Sequence, residues 1–144
     1  MRVALASVGI DSPVRAVGVA ADGQMRLPAD PRVMGWYRFG SAPGAERGGS
    51  VVIAGHLDSK RFGLGPLVRL RDAEVGDAIE VTLSNGATST YTVVGVERFD
   101  RQGLPDRLFG RQGPERLHVI TCGGAYDADA GGYQQNLVVT AAPG

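Results

Sequence analysis

A chain of 144 residues with 43% hydrophobic content is long enough to bury one core and short enough to form a single domain, expected here to span residues 1–144. Its 15 basic and 15 acidic residues cancel, and no block of like charge is dense enough to track a phosphate backbone, which argues against nucleic acid as a partner. The single cysteine permits no internal disulfide, and no apolar run approaches the ~18 residues of a membrane helix.

Lys60 is the only lysine among the basic residues, a bias that with the many Ala and Gly points to a GC-rich genome rather than to any chemistry. The opening residues MRVALASVGIDSP lack a signal-peptide core, so the chain as given reads as soluble. It begins abruptly in what reads as a strand, as expected if an N-terminal segment had been cut away.

Short stretches rich in Val, Ile and Thr recur between clusters of Gly, Pro, Asp and Asn, and this spacing predicts an all-β sandwich or barrel. In chain order the expected strands are Arg2 to Ser7, Val14 to Ala20, Ser50 to Ala54, Ala78 to Ser84, Ser89 to Phe99, Leu117 to Cys122 and Asn136 to Ala141. Asn85-Gly86 lies between the fourth and fifth of these, and Asn-Gly readily takes the positive φ angles of a tight hairpin turn. Pro66 to Arg71 and Leu104 to Phe109 allow only a helical turn or two each. Pro28 to Pro31, Ala42 to Gly49 and Gly110 to Pro114 read as surface loops.

The lone Cys122 is either a small buried hydrophobe or a reagent, and the choice turns on whether a proton acceptor reaches it. There are two histidines. His118 and Cys122 share a face of one strand but are four residues apart, roughly 13 Å at ~3.3 Å per residue, too far for a hydrogen bond. His118 therefore reads as structural. His56 follows the apolar run Val51-Val52-Ile53-Ala54-Gly55, and Cys122 ends its own expected strand before Gly123-Gly124. Strand ends beside glycines can converge on one rim of a barrel, which would let a Cys122 thiolate attack a carbonyl while the His56 imidazolium donates to a leaving amine.

The segments Val51-Val52-Ile53-Ala54-Gly55-His56-Leu57-Asp58-Ser59 and His118-Val119-Ile120-Thr121-Cys122-Gly123-Gly124 resemble the His and Thr-x-Thr-Cys motifs of sortases, most of all the class F sortases of actinobacteria. Further matches run through Gly35-Trp36-Tyr37, Arg69 to Asp77, Phe109-Gly110-Arg111 and Asn136-Leu137-Val138-Val139, so that the resemblance covers nearly the whole chain. It implies an eight-stranded sortase barrel and a thiol transpeptidase acting on sorting signals of the Leu-Pro-x-Thr-Gly kind. Cys122 would be the nucleophile, His56 the general acid and base, and Asp58 a residue that orients His56. The acyl group would pass from Thr to an amine of a cell-wall precursor, to a pilin lysine or to water, at the outer face of a membrane to which the full-length protein is anchored. No cofactor is implied. Some sortases use calcium, but no acidic cluster here demands it, and one Cys with two His offers no paired metal-ligand spacing.

One departure stands out. Sortases usually carry an Arg shortly after the Cys, yet residues 123–144 contain neither Arg nor Lys. Gln134 and Gln135 occupy the corresponding stretch, and with Thr121 beside the nucleophile they are the candidate oxyanion and substrate donors, unless Arg111 or Arg116 reaches in. The missing cation leaves a second expectation, a sortase-like module that binds a sorting peptide without turning it over. Other cysteine enzymes fit less well: the Cys region lacks the Ser-x-Gly-Cys pattern of L,D-transpeptidases, and no Cys-Trp signature of papain-like hydrolases stands near the start.

Overall fold

The computed structural model describes residues 1–45 and 47–144. The alternation of apolar residues becomes a sheet ladder that closes on itself. Strands β1 (Arg2–Leu5), β2 (Ile10–Val17), β3 (Met34–Tyr37), β4 (Ser50–Ala54), β7 (Ala78–Thr82), β8 (Thr88–Asp100), β9 (Arg116–Asp127) and β10 (Gly132–Pro143) form a closed eight-stranded barrel in the order β1-β2-β3-β4-β9-β10-β8-β7. Two further short strands, β5 (Asp58–Ser59) and β6 (Gly63–Leu64), make a separate ribbon directly after His56. Pairing is antiparallel except for β2 with β3 and β4 with β9.

The expected hairpin is β7–β8, with Thr82 paired to Thr88 and Gly86 at φ 87° in the turn. The Asn85 side chain accepts the Ala87 N–H at 2.9 Å, so the residue type that favours the turn also caps it. The two helical stretches are 3-10 turns at Pro66–Asp72 and Asp106–Phe109. Of the expected loop Ala42 to Gly49, Glu46 lies outside the described residues.

Three features differ from the sequence reading. Met34–Tyr37 is a barrel strand, although four residues among Pro and Gly clusters gave no periodicity to detect. The first strand stops at Leu5 and turns through Ala6–Val8, so β2 starts at Ile10, ahead of the expected Val14. Cys122 does not end its strand: β9 runs on to Asp127 and pairs with the start of β10, forming an arm in which Tyr126 and Tyr133 meet edge to face at 5.0 Å. Gly123-Gly124 disguises this extension because glycine carries no strand signal.

Two apolar layers set the position of the site. Val51, Ile53, Leu117, Val119, Leu137 and Val139 fill the barrel interior, where Leu67 and Leu70 of the first 3-10 turn join them. Val52, Ala54, Ile120 and Val138, from the opposite faces of the same strands, pack outside the barrel under Leu108. All five residues of β4 are buried, as a strand covered on both faces must be. Truncating a fully buried side chain such as Leu67 to Ala is expected to cost about 2–5 kcal/mol.

Candidate active site

The parallel pairing of β4 with β9 aligns the segments that carry His56 and Cys122. Its register joins Val52 to His118 and Ala54 to Ile120, and one more bond follows, from the Gly55 N–H to the Ile120 carbonyl at 3.2 Å. Continued past the end of β4, this register would set Gly55 opposite Thr121 and His56 opposite Cys122, at about the ~4.8 Å spacing of neighbouring strands. Both share the parity of Val52, Ala54 and Ile120, the outer face of the barrel. Each is half-buried, so the pair is screened from bulk water but open to a substrate. The strand order that sets this register is invisible in the one-dimensional spacing of the motifs.

The Cys122 thiol is pushed above its ordinary value, chiefly by burial and further by the Asp58 carboxylate, while the Arg101 guanidinium pulls it back down. The resting thiol is therefore protonated at neutral pH. Asp58 thus lies close enough to act on the thiol electrostatically. Its hydrogen bond is with Tyr133, whose hydroxyl donates to Oδ2 at 2.8 Å, and among the described residues it makes none to His56. That bond is also the main reason the Tyr133 hydroxyl titrates above its usual range.

Thr121 faces the barrel interior, and its hydroxyl donates to the Gly55 carbonyl at 3.0 Å. Gln134 falls at the irregularity where the β9–β10 register shifts, and its amide donates to the Gly132 carbonyl at 2.6 Å. Gln135 instead sits beside Gly124, where a Cβ would fall 2.7 Å from Oε1, and lines a cavity together with Cys122. Of the two glutamines, then, the structure brings Gln135 to the cysteine and ties Gln134 into the adjoining turn.

His118 lies on the outer face with Cys122 but is only 4% exposed. Its Nδ1 is 2.9 Å from Thr140 Oγ1 and its Nε2 3.4 Å from Ser50 Oγ. Burial, reinforced by Arg107 and Arg116, pushes its imidazole down to about 4. The neutral ring is a packing element held between two hydroxyls.

Two cations near Cys122, Arg98 in β8 and Arg101 in the turn that follows it, lie upstream in sequence. Arg101 lines the groove beside Cys122, and its backbone N–H donates to the Gln134 carbonyl at 2.9 Å. Its guanidinium packs on the turn after β9, where a Cβ at Gly131 would fall 2.1 Å from Nη1. Arg98 covers Gly123, where a Cβ would meet its Nη1 at 2.9 Å. Arg116 stands at the opposite end of β9, bonded to the Glu115 carbonyl at 2.7 Å, and Arg111 bonds the Phe39 carbonyl. The donors expected from sequence, Gln134 and Gln135, lie downstream of the cysteine. Arg98 and Arg101 reach it only because β8 pairs with β10, which pairs with β9.

Two cavities meet at Cys122. The larger, about 590 Å³, is apolar over much of its wall, with Met25, Leu27, Tyr37, Leu104, Phe109 and Ile120. The smaller, about 380 Å³, lies on the other side of Thr121 and Cys122, with Arg71, Arg98, Tyr133 and Gln135 on its rim. Among the described residues no group of three His, Cys, Asp or Glu side chains is placed to hold a metal ion. Among the described residues no helix is long and apolar enough to cross a membrane.

A family model described as the sortase domain matches residues 3–144. The chain belongs to the sortase family. Members of that family are cysteine transpeptidases, and the closed eight-stranded barrel is the sortase fold. The sortase fold is shared by sortase A from Corynebacterium diphtheriae, in a lid mutant, at TM-score 0.75 and 18% identity over 99% of this chain and 68% of that one. Sortase C1 of Streptococcus agalactiae, in complex with MTSET, matches at TM-score 0.74 and 20% identity over 99% and 67% of the two chains. Sortase C from Clostridium perfringens SM101 matches at 0.72 and 15%, over 99% and 68%. A comparison with curated proteins found no match.

Proposed function

We propose that this sortase cleaves Leu-Pro-x-Thr-Gly-type sorting signals between Thr and Gly, in the manner of class F sortases, with Cys122 as nucleophile and His56 as general acid and base. The observation that carries the reading is the β4–β9 register, which supports a shared position for His56 and Cys122 on the outer face of the barrel. Substrates and acceptors of this kind belong to the outer face of a cell membrane, and we assign the protein there.

The thiol passes its proton to the imidazole, and the sulfur attacks the threonine carbonyl carbon, moving the C=O electron pair onto oxygen. Collapse of the tetrahedral species breaks the C–N bond, and His56 gives the proton to the departing glycine amine. The thioester on Cys122 is then attacked by an amine of a cell-wall precursor, by a pilin lysine or by water, with His56 accepting the proton of the incoming group.

Arg101 supplies the positive charge for the oxyanion, the part for which the sequence after Cys122 offers no cation. Its place in the groove and its downward pull on the thiol support this, since a charge that stabilises a thiolate also stabilises a nearby alkoxide. Thr121 positions the two reacting residues through its bond to Gly55, and Gln135 is a candidate second donor. Asp58 acts on the thiol by charge, held by Tyr133. The larger, apolar groove suits the Leu-Pro portion of the signal.

The test is cleavage of a fluorogenic Leu-Pro-x-Thr-Gly peptide with and without an added amine. Cleavage abolished by Cys122→Ala and nearly abolished by His56→Ala is the expected result. Cleavage that survives His56→Ala in a folded protein would overturn the assignment of the base.

A further inference from the structure

By microscopic reversibility, the amine that leaves in acylation and the amine that attacks in deacylation occupy the same side of the thioester. The apolar groove suits the acyl portion, which leaves the smaller cavity beyond Cys122 for the amine-bearing group. We infer that this cavity selects acceptor amines that carry a carboxylate on the residue following the one that bears the reacting nitrogen, through Arg71 and Arg98. The inference deepens the transpeptidase reading and rests on it for the direction of the substrate.

Arg98 lies over Gly123, the residue after the nucleophile, and glycine is what leaves room for its guanidinium. Arg71, near the end of the Pro66–Asp72 turn, lines the same cavity. Among the described residues neither guanidinium has a carboxylate within ion-pair distance, although the chain's charges balance overall. No acidic side chain lines this cavity among the described residues; Asp58 bonds the hydroxyl of Tyr133, which does. Two guanidiniums from separate elements lining one cavity with Cys122 match a group whose amine faces the Cys122 thioester while its own carboxylate turns to the arginines. A plain alkyl diamine would instead bring its second ammonium toward two like charges.

Glycyl-glutamate amide and glycyl-glutamine amide differ only in one carboxylate and serve as the probes. Their binding is measured by NMR titration of the Cys122→Ala protein and of the same protein carrying Arg71→Gln and Arg98→Gln. In parallel, the ratio of aminolysis to hydrolysis is measured for the acylated active enzyme with and without the two arginine substitutions. The expected result is a preference of about tenfold for the glutamate probe in both readouts, reduced to within about twofold when both arginines are replaced. Equal binding of the two probes, or a preference that survives the double substitution, overturns the inference. If no acyl-enzyme forms, the transpeptidase reading fails, and the binding titration still decides the selectivity of the cavity.

Discussion

The Thr121 hydroxyl donates to the Gly55 carbonyl at 3.0 Å, tying the residue before the candidate nucleophile to the residue before the candidate base. Removing the donor leaves a carbonyl with no side-chain partner in a buried position, at a cost of about 1–3 kcal/mol. Thr121→Val is expected to lower stability by that amount and to reduce kcat by about tenfold with little change in KM, because it loosens the spacing of His56 and Cys122 rather than the groove. Thr121→Ser retains the hydroxyl and should recover most of both. Denaturant unfolding and steady-state kinetics on the two variants check this; a Thr121→Val enzyme with unchanged kcat would mean the bond has no positioning role.

Arg101→Ala removes the cation assigned to the oxyanion and is expected to cost about 10² to 10³ in kcat, the usual loss for one such donor. Gln134→Ala should act mainly on the β9–β10 turn, since its amide is already committed to Gly132. The comparison is made with one peptide under saturating conditions. A severe loss in Gln134→Ala beside an unaffected Arg101→Ala would return the donor role to the glutamine.

The charges around the thiol predict its reactivity. Asp58 raises and Arg101 lowers the Cys122 thiol pKa, with burial the largest cause of the overall rise. Asp58→Asn should therefore move the pH dependence of iodoacetamide alkylation to lower pH, giving faster alkylation near neutrality. Arg101→Gln should move it to higher pH. The measurement is the alkylation rate against pH followed by intact mass; shifts in the same direction for both variants would contradict these placements.

His118 predicts an acid-sensitive fold. Its folded pKa of about 4 lies below the unfolded value of 6.5, so the neutral form favours the folded state. That stability is fully present above pH 6.5 and is lost as pH falls towards 4, a total of about 3.5 kcal/mol at ~1.4 kcal/mol per unit. His118→Gln keeps a hydrogen-bonding side chain that does not titrate and should flatten the stability profile over that interval, measured by urea unfolding across pH. An unchanged slope would assign the acid sensitivity elsewhere.

The sequence carried the barrel strands wherever alternation was sustained, and the Asn85-Gly86 hairpin most clearly. The short strand Met34–Tyr37 escaped because its pairing partners, Val14–Val17 and Gly35's neighbour Ala54, come from distant parts of the chain. The local motifs of His56 and Cys122 suggest a pair, and the β4–β9 register is consistent with that reading, although Cys122 lies within β9 rather than at its end. Arg98 and Arg101 were not, because their proximity to the cysteine is a property of three adjacent strands. Side-chain commitments such as Gln134 to Gly132 and Asp58 to Tyr133 depend on a register shift and a cross-loop contact that no spacing rule encodes.

The central claim is that Cys122 takes the acyl group of a sorting peptide. Intact-protein mass spectrometry after brief incubation with a Leu-Pro-x-Thr-Gly peptide, quenched in acid and followed by peptide mapping, tests it directly. The account predicts an increase equal to the mass of the acyl fragment ending in Thr, located on Cys122, absent from Cys122→Ala and discharged by an added amine. Peptide cleavage without any adduct on Cys122, or cleavage that persists in Cys122→Ala, would contradict it.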